Sequence, residues 1–244
     1  MGALYDAVFY RPIFNLLIGL YNVIPGHDIG ITIIIMTVIV KFILWPLQQK
    51  ALRSQKALQD IQPKMEELKV KYAKDKEALS RAMMELYSKE KVNPLSSCLP
   101  LLVQLPVFIA LYHALSKGLS SSGFEKLYSF VSPPASIEPT LLGIVDLSTP
   151  HIVLALLAGL AQMFQAKMMV TRQQPKKTPG AKDEQMLATM NRQMVYMMPM
   201  LTVFIGMQLP GGLSLYWTVM AGLTLVQQMV FFKRGPVEPE KAAA

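Results

Sequence analysis

The sequence predicts an all-α, polytopic membrane protein with five transmembrane helices. A polar helical hairpin joins the first two, and an amphipathic helix precedes them. Three observations predict this. The 244 residues are 52% hydrophobic, and their apolar members gather into runs instead of recurring at the spacing of a soluble core. The charged residues lie between the runs. The basic ones among them concentrate in alternate connections.

Residues 1–29 come first. The apolar stretch 13–24 is too short to span a bilayer. Phe9, Ile13, Leu16, Leu17, Leu20 and Ile24 share one helical face, while Arg11, Asn15 and Asn22 interrupt the rest. This reads as a helix lying in the membrane interface, followed by a linker. Asp6 stands where a cleavable secretory signal carries basic residues, so no such signal is expected.

The first span is residues 30–47, a run of 18 residues, or about 27 Å of helix at about 1.5 Å per residue. The second is 95–115, with Pro100 and Pro106 inside it. The third is 151–170, the fourth 194–209 with Pro199 inside it, and the fifth 212–232. Between the last two stand Leu209, Pro210, Gly211 and Gly212, a turn so tight that the spans form an antiparallel hairpin. Each in-span proline removes a backbone hydrogen bond and bends its helix, which is tolerated where neighbours or water satisfy the freed carbonyl.

Basic residues set the orientation. Residues 48–93 carry eleven Lys and Arg against seven Asp and Glu. Residues 171–193 add Arg172, Lys176, Lys177, Lys182 and Arg192, and the tail adds Lys233, Arg234 and Lys241. Residues 116–150 hold only Lys117 and Lys126, and residues 1–29 only Arg11. Five spans put all the rich segments on one side, which is then cytoplasmic. The N-terminus lies outside and the C-terminus inside.

The polar segment 48–92 reads as two amphipathic helices. Ile61, Met65, Leu68 and Tyr72 form one stripe and Leu79, Met83 and Leu86 another, on either side of Lys74, Asp75 and Lys76. Pro63 suits the first turn of the first helix. The charged face is either a solvated face attracted to anionic headgroups or a platform for cytosolic partners. The loop 171–193 reads as mobile, and the short tail 233–244, with Pro236 and Pro239, as disordered. Cys98 excludes an internal disulfide and a cysteine-based zinc site, and reads as a packed small residue.

Polar residues at membrane depth carry the functional signal. Lys41 lies in the first span, and an ammonium there is costly. One reading is snorkelling, the stem lifting the charge to the interface. Thr37, Lys41, Leu44 and Gln48 share one helix face, however, which makes a polar stripe instead. No acidic residue lies inside any span to pair with Lys41, so it either reaches water or is neutral, and water inside the bundle, open toward the basic side, is the simplest reconciliation. Gln104, Gln162, Gln165, Gln227 and Gln228 lie in other spans. Each is either an interhelical hydrogen bond or part of a wetted cavity. Tyr216 and Trp217 are either an aromatic belt or part of the same cavity. Seventeen methionines, several in spans three and four, suit either lipid-facing filler or a surface that accepts many partners.

No Gly-x-x-x-x-Gly-Lys-Ser/Thr loop, His-Glu-x-x-His or Gly-x-Ser-x-Gly is present, and paired intramembrane carboxylates are missing. The expectation is a protein that is not an enzyme, uses no cofactor or metal, and acts non-covalently.

Several segments together resemble one family. They are Val40-Lys41-Phe42-Ile43-Leu44-Trp45-Pro46-Leu47, the stretch Leu58-Gln59-Asp60-Ile61-Gln62-Pro63-Lys64, the block from Asn93-Pro94-Leu95 through Cys98-Leu99-Pro100 to Gln104-Leu105-Pro106, and Leu209-Pro210-Gly211-Gly212-Leu213-Ser214-Leu215-Tyr216-Trp217. The chain resembles the YidC/Oxa/Alb membrane protein insertases over about residues 30–232. The resemblance implies an insertase core with a hydrophilic groove open to cytoplasm and lipid. Its central basic residue, usually arginine, is Lys41 here, which keeps the charge and loses the planar fork. Thr37, Gln104, Gln165, Tyr216 and Trp217 are the other expected groove residues.

The implied partners are nascent membrane proteins and the lipid bilayer of the cell membrane, with the Sec translocon, the signal recognition particle pathway and the ribosome as further ones. The large periplasmic domain, extra N-terminal span and long basic tail of some members have no counterpart here, so ribosome docking would need another partner. Sequence-specific nucleic-acid binding is not implied. The competing reading is a small solute or ion transporter with Lys41 as an anion site, which would need a path open alternately to both sides.

Overall fold

The computed structural model describes residues 2–73, 75–93, 99–118, 121–170 and 193–233. The loop 171–192, the tail 234–244, Cys98 and the first residues expected in span two lie outside these. The described chain is mostly helical. After a helical turn Ala3–Tyr5 and a π-turn Asp6–Tyr10 come α1 (Arg11–Val23), α2 (Ile29–Ile43), α3 (Trp45–Asp60), α4 (Gln62–Lys71) and α5 (Lys76–Lys89). Then follow α6 (Leu99–His113), a π-turn Ala114–Gly118, a 3-10 turn Ser121–Lys126, and the strands β1 (Thr140–Leu141) and β2 (Val145–Asp146). The chain ends with α7 (Ile152–Val170), a π-turn Gln193–Met197, α8 (Met198–Gly206) and α9 (Gly211–Lys233). The strands pair antiparallel, Leu141 opposite Val145, a small departure from the all-α expectation.

Each apolar run lies in a helix, with one correction of shape. The first run is not one straight helix. It breaks at Leu44, and α2 and α3 meet at 64°. Pro46 explains the break: it has no N–H for the Phe42 carbonyl, and its ring crowds that turn. Thr37 and Lys41 therefore stand on α2 while Gln48 stands on α3. Of the described helices, Gly211–Phe231 alone is long and apolar enough to cross a membrane by itself. The bent pair passes together, and 104–116, 152–168 and 195–206 are shorter apolar segments.

Helix α9 is the spine. One side packs along α2 and the other along α7, and α7 in turn packs on α8. The tight turn at Pro210 does reverse the chain, but α8 and α9 hardly touch; each uses α7 as its partner. Small residues permit this. A Cβ on Gly159 would lie 2.3 Å from Val203 Cγ2 and 3.1 Å from the Pro199 carbonyl oxygen, so only glycine lets α7 and α8 approach so closely.

The N-terminal helix buries more than the expected face. Its buried apolar residues are Tyr10, Ile13, Phe14, Leu17, Ile18 and Tyr21, with Phe14, Leu17 and Ile18 fully covered. It packs on α2 and α6 as part of the main core. Asn15, read as an interruption, is buried and fully bonded. Its Nδ2 donates to the Arg11 and Lys126 carbonyls at 2.8 and 3.1 Å, and its Oδ1 accepts from the Tyr128 amide at 2.6 Å. Lys126 and Arg11 both reach Asp6, at 3.2 and 3.4 Å. Asp28 completes this end of the bundle. It caps α2 through the Ile31 amide at 2.7 Å and accepts from the Leu142 amide in the strand turn. Gly30 lets Leu141 sit directly on α2, where a Cβ would fall 2.4 Å from Leu141 Cδ1.

The polar helices α4 and α5 pack on each other. Pro63 lies in the first turn of α4, and Asp75 caps α5 through the Ala78 amide at 3.0 Å. Lys64 and Glu90 close the pair at 2.6 Å, and Met65 meets the Tyr87 hydroxyl. Apart from the buried Ile61, the two apolar stripes are half-buried, as two helices covering only each other would leave them.

Two variants test this packing. Asn15→Ala removes the side-chain partner of the Lys126 carbonyl and the Tyr128 amide and is expected to cost on the order of 1–3 kcal/mol. Hydrogen exchange should then rise at 126–128 while α7 and α9 stay protected. Gly159→Leu should separate α8 from α7, seen as lost protection of 198–206 and a lower unfolding midpoint in detergent. Unchanged protection in both would contradict the assigned contacts.

Candidate functional site

The interior of the helix cluster holds several buried polar side chains, and its exterior is apolar. Thr32, Thr37, Lys41, Ser214, Gln227 and Gln228 are buried, while Phe42, Ile43, Leu156, Leu160, Phe164, Phe204 and Val230 are exposed. This inversion of a soluble fold suits a lipid surround.

Lys41 is the charged one among them, with 3% of its surface exposed. Its Nζ donates to Thr224 Oγ1 on α9 at 2.8 Å. Thr224 in turn donates to the Met220 carbonyl at 2.7 Å, so its remaining lone pair is turned to the ammonium. The amine thus points across the bundle, which excludes the snorkelling reading. No described acidic side chain pairs with it. Thr37, one turn earlier and fully buried, donates back to the Ile33 carbonyl at 2.6 Å and serves its own helix.

Gln104, Tyr216 and Trp217 form a second node. Tyr216 is fully buried and is hydrogen-bonded to Gln104 Nε2, and Trp217 stacks on Phe108 with ring centres 4.7 Å apart. These two contacts join α6 to α9. An aromatic belt is therefore excluded for Tyr216. Residues 216 and 224 are about 12 Å apart along α9 at about 1.5 Å per residue, so this node and Lys41 are successive levels of one face.

Gln165 stands apart. It is half-buried on α7, with no hydrogen bond to the other five among the described residues. Its neighbour Gln162 bonds to Thr202 on α8. Interhelical bonding thus accounts for Gln104 and Gln162 but not for Gln227 and Gln228, whose polar atoms include buried ones without partners. Thr224 and Thr202 were missed from the sequence. Thr224 had a signal: Leu213, Tyr216, Met220, Thr224, Gln227 and Phe231 recur at helical spacing as one face of α9.

Comparison with known proteins agrees with this architecture. A Geobacter sulfurreducens protein named membrane protein insertase YidC is 38% identical over 224 residues, 91% of this chain but 36% of that protein. A Fusobacterium nucleatum protein of the same name is 34% identical over 208 residues, 85% of this chain and 88% of that one. The chain thus spans about a third of the Geobacter relative and most of the Fusobacterium one. A crystal structure of an active YidC insertase, with its first transmembrane domain resolved, superposes with a TM-score of 0.57 at 26% identity, over 95% of this chain and 47% of that one. A family model described as 60Kd inner membrane protein matches residues 19–238. On these matches, the chain belongs to the 60Kd inner membrane protein family.

Proposed function

We propose that this chain is a membrane protein insertase and chaperone. The observation that carries the reading is Lys41: a buried ammonium, held among the described residues by one hydroxyl contact, in a helix cluster whose outside is apolar. Relatives of similar sequence bear the name insertase, which does not favour the solute transporter. In this reading the core 30–232 crosses the bilayer five times. The basic hairpin α4–α5 and the loop 171–193 lie in the cytoplasm, the N-terminus lies outside, and residues 1–29 lie along the outer interface. Lys41, Thr37, Gln104, Gln165, Tyr216 and Trp217 border a hydrophilic groove.

The mechanism needs no covalent step. A nascent span moves along the apolar flank of the bundle while its short polar outer tail enters the wetted interior. The ammonium of Lys41 attracts acidic groups of that tail, and Thr224, uncharged, releases it readily to a carboxylate. The wet interior shortens the dry distance the tail must cross. The membrane potential favours outward movement of acidic groups by about 2.3 kcal/mol per charge per 100 mV. Burial of the span in lipid then supplies the net drive. Nascent membrane proteins and the bilayer are the direct partners; the Sec translocon, the signal recognition particle pathway and the ribosome are further ones.

Insertion into proteoliposomes tests this. Lys41→Ala should reduce insertion of substrates with acidic outer tails several-fold, and Lys41→Arg should be tolerated. Thermal unfolding of Lys41→Ala should not fall, because removing an unpaired buried charge relieves a desolvation cost. Equal insertion by wild type and Lys41→Ala across several acidic-tailed substrates would overturn the assignment.

A further inference from the structure

Beyond Lys41, where α3 leaves α2 at the Leu44 break, α3 and α9 carry a second set of polar side chains with buried atoms, Gln48 on α3 and Gln227 and Gln228 on α9. Two contacts bracket it. On one side Lys41 reaches Thr224 at 2.8 Å. On the other Leu52 of α3 packs on Phe231 of α9, both buried. Helical spacing fixes what lies between. Gln48 is one turn before Leu52, and Gln227 and Gln228 are one turn past Thr224 and one before Phe231. Gln227 and Gln228 are each 1% exposed.

This layer is unsatisfied. Gln48 Oε1, Gln228 Oε1 and both polar atoms of Gln227 are buried without a hydrogen-bond partner. Buried amides are bonded as a rule, and each exception is a standing cost. Gln104 and Gln162, elsewhere in the same bundle, follow the rule. The contrast argues that the layer is completed by something that enters it. The free groups are two kinds at once, carbonyl acceptors and an NH2 donor, and none is charged. The ligand chemistry they fit is a group that both donates and accepts, which a peptide unit does on any sequence.

Resting on the insertase reading, we propose that Gln48, Gln227 and Gln228 form an uncharged station that binds the peptide backbone of the incoming polar tail. It is a different station from Lys41. Lys41 discriminates by charge; the amide layer, holding main-chain N–H and C=O groups, is indifferent to it. It also lies toward the basic hairpin, so a tail arriving from that side meets the amides before the ammonium. The break at Leu44 supplies the means of entry. Pro46 offers the Phe42 carbonyl no N–H, so the Leu44 break is the place where α3 can pivot, at the loss of the Leu52–Phe231 contact and of its packing on α6. Water is the other source of the same chemistry.

The test uses the full chain in proteoliposomes with two substrates that share a span, one with an acidic and one with a neutral outer tail. The triple variant Gln48→Met, Gln227→Met, Gln228→Met keeps side-chain length and removes the amides. It should insert both substrates several-fold less well, to the same degree, with an unfolding midpoint no lower than wild type. Lys41→Ala should affect the acidic tail alone. A photo-crosslinking residue at position 228 should capture both tails. Wild-type insertion by the triple variant, or absence of tail adducts at 228, means that the layer holds water only and overturns the proposal. A lower unfolding midpoint with lost insertion overturns it too, because the amides would then be structural bonds. In either case loss of acidic-tail insertion in Lys41→Ala leaves the insertase reading standing. Failure of the wild-type chain to insert any substrate overturns that reading itself.

Discussion

An ammonium inside an apolar helix cluster is the constraint on which the rest of this structure turns. Lys41 has left water, and its attraction to a neutral hydroxyl does not match what hydration supplied. Two features follow from accommodating it. Helix α2 must lie against α9, since Thr224 is the group that receives the amine. The face of α9 that carries Leu213, Tyr216 and Met220 must also offer a polar group where an ordinary core would carry leucine, and Thr224 supplies it.

The two ends of the bundle are finished in opposite ways. At the end where α2 begins, most of the polar groups are matched: Asn15 makes three bonds, Asp28 makes two, and Phe14, Leu17 and Ile18 fill the space between the N-terminal helix and the core, with the Tyr5 hydroxyl the buried exception. At the end where α2 stops, the helix breaks, α3 turns away, and buried amides lack partners. A closed, satisfied end resists opening because any opening must give up formed bonds. An unsatisfied end gains bonds when a polar group arrives. Local stability is therefore polarised along the bundle, and movement is cheapest beside Leu44.

The sequence displayed the helices and hid the way they meet. Lys41 was legible because a charge in a run of Ile and Val has no ordinary explanation. The packed pair α4 and α5 was legible because Ile61, Met65, Leu68 and Tyr72 repeat at helical spacing with a proline at the start. Thr224 was not, since a threonine in an apolar helix usually bonds its own preceding turn, and this one does both. The break at Leu44 was masked by a run that stays apolar through Pro46. The covered face of the N-terminal helix was misread because Asn15 looks like a solvent-facing residue until Lys126 and Tyr128, over a hundred residues away, are brought to it. Tyr216 and Trp217 likewise resemble interfacial aromatics in sequence, and only their contacts with Gln104 and Phe108 turn them inward.

The central claim is that Lys41 exchanges its bond to Thr224 for the polar tail of an inserting chain. A photo-reactive amino acid at position 224, activated while a radiolabelled nascent membrane protein is being inserted, reads this directly. The account predicts adducts that map to the substrate's polar outer tail, appear only during insertion and fade when insertion is complete. Adducts to lipid alone, or to the substrate's apolar span with none on its tail, would contradict it.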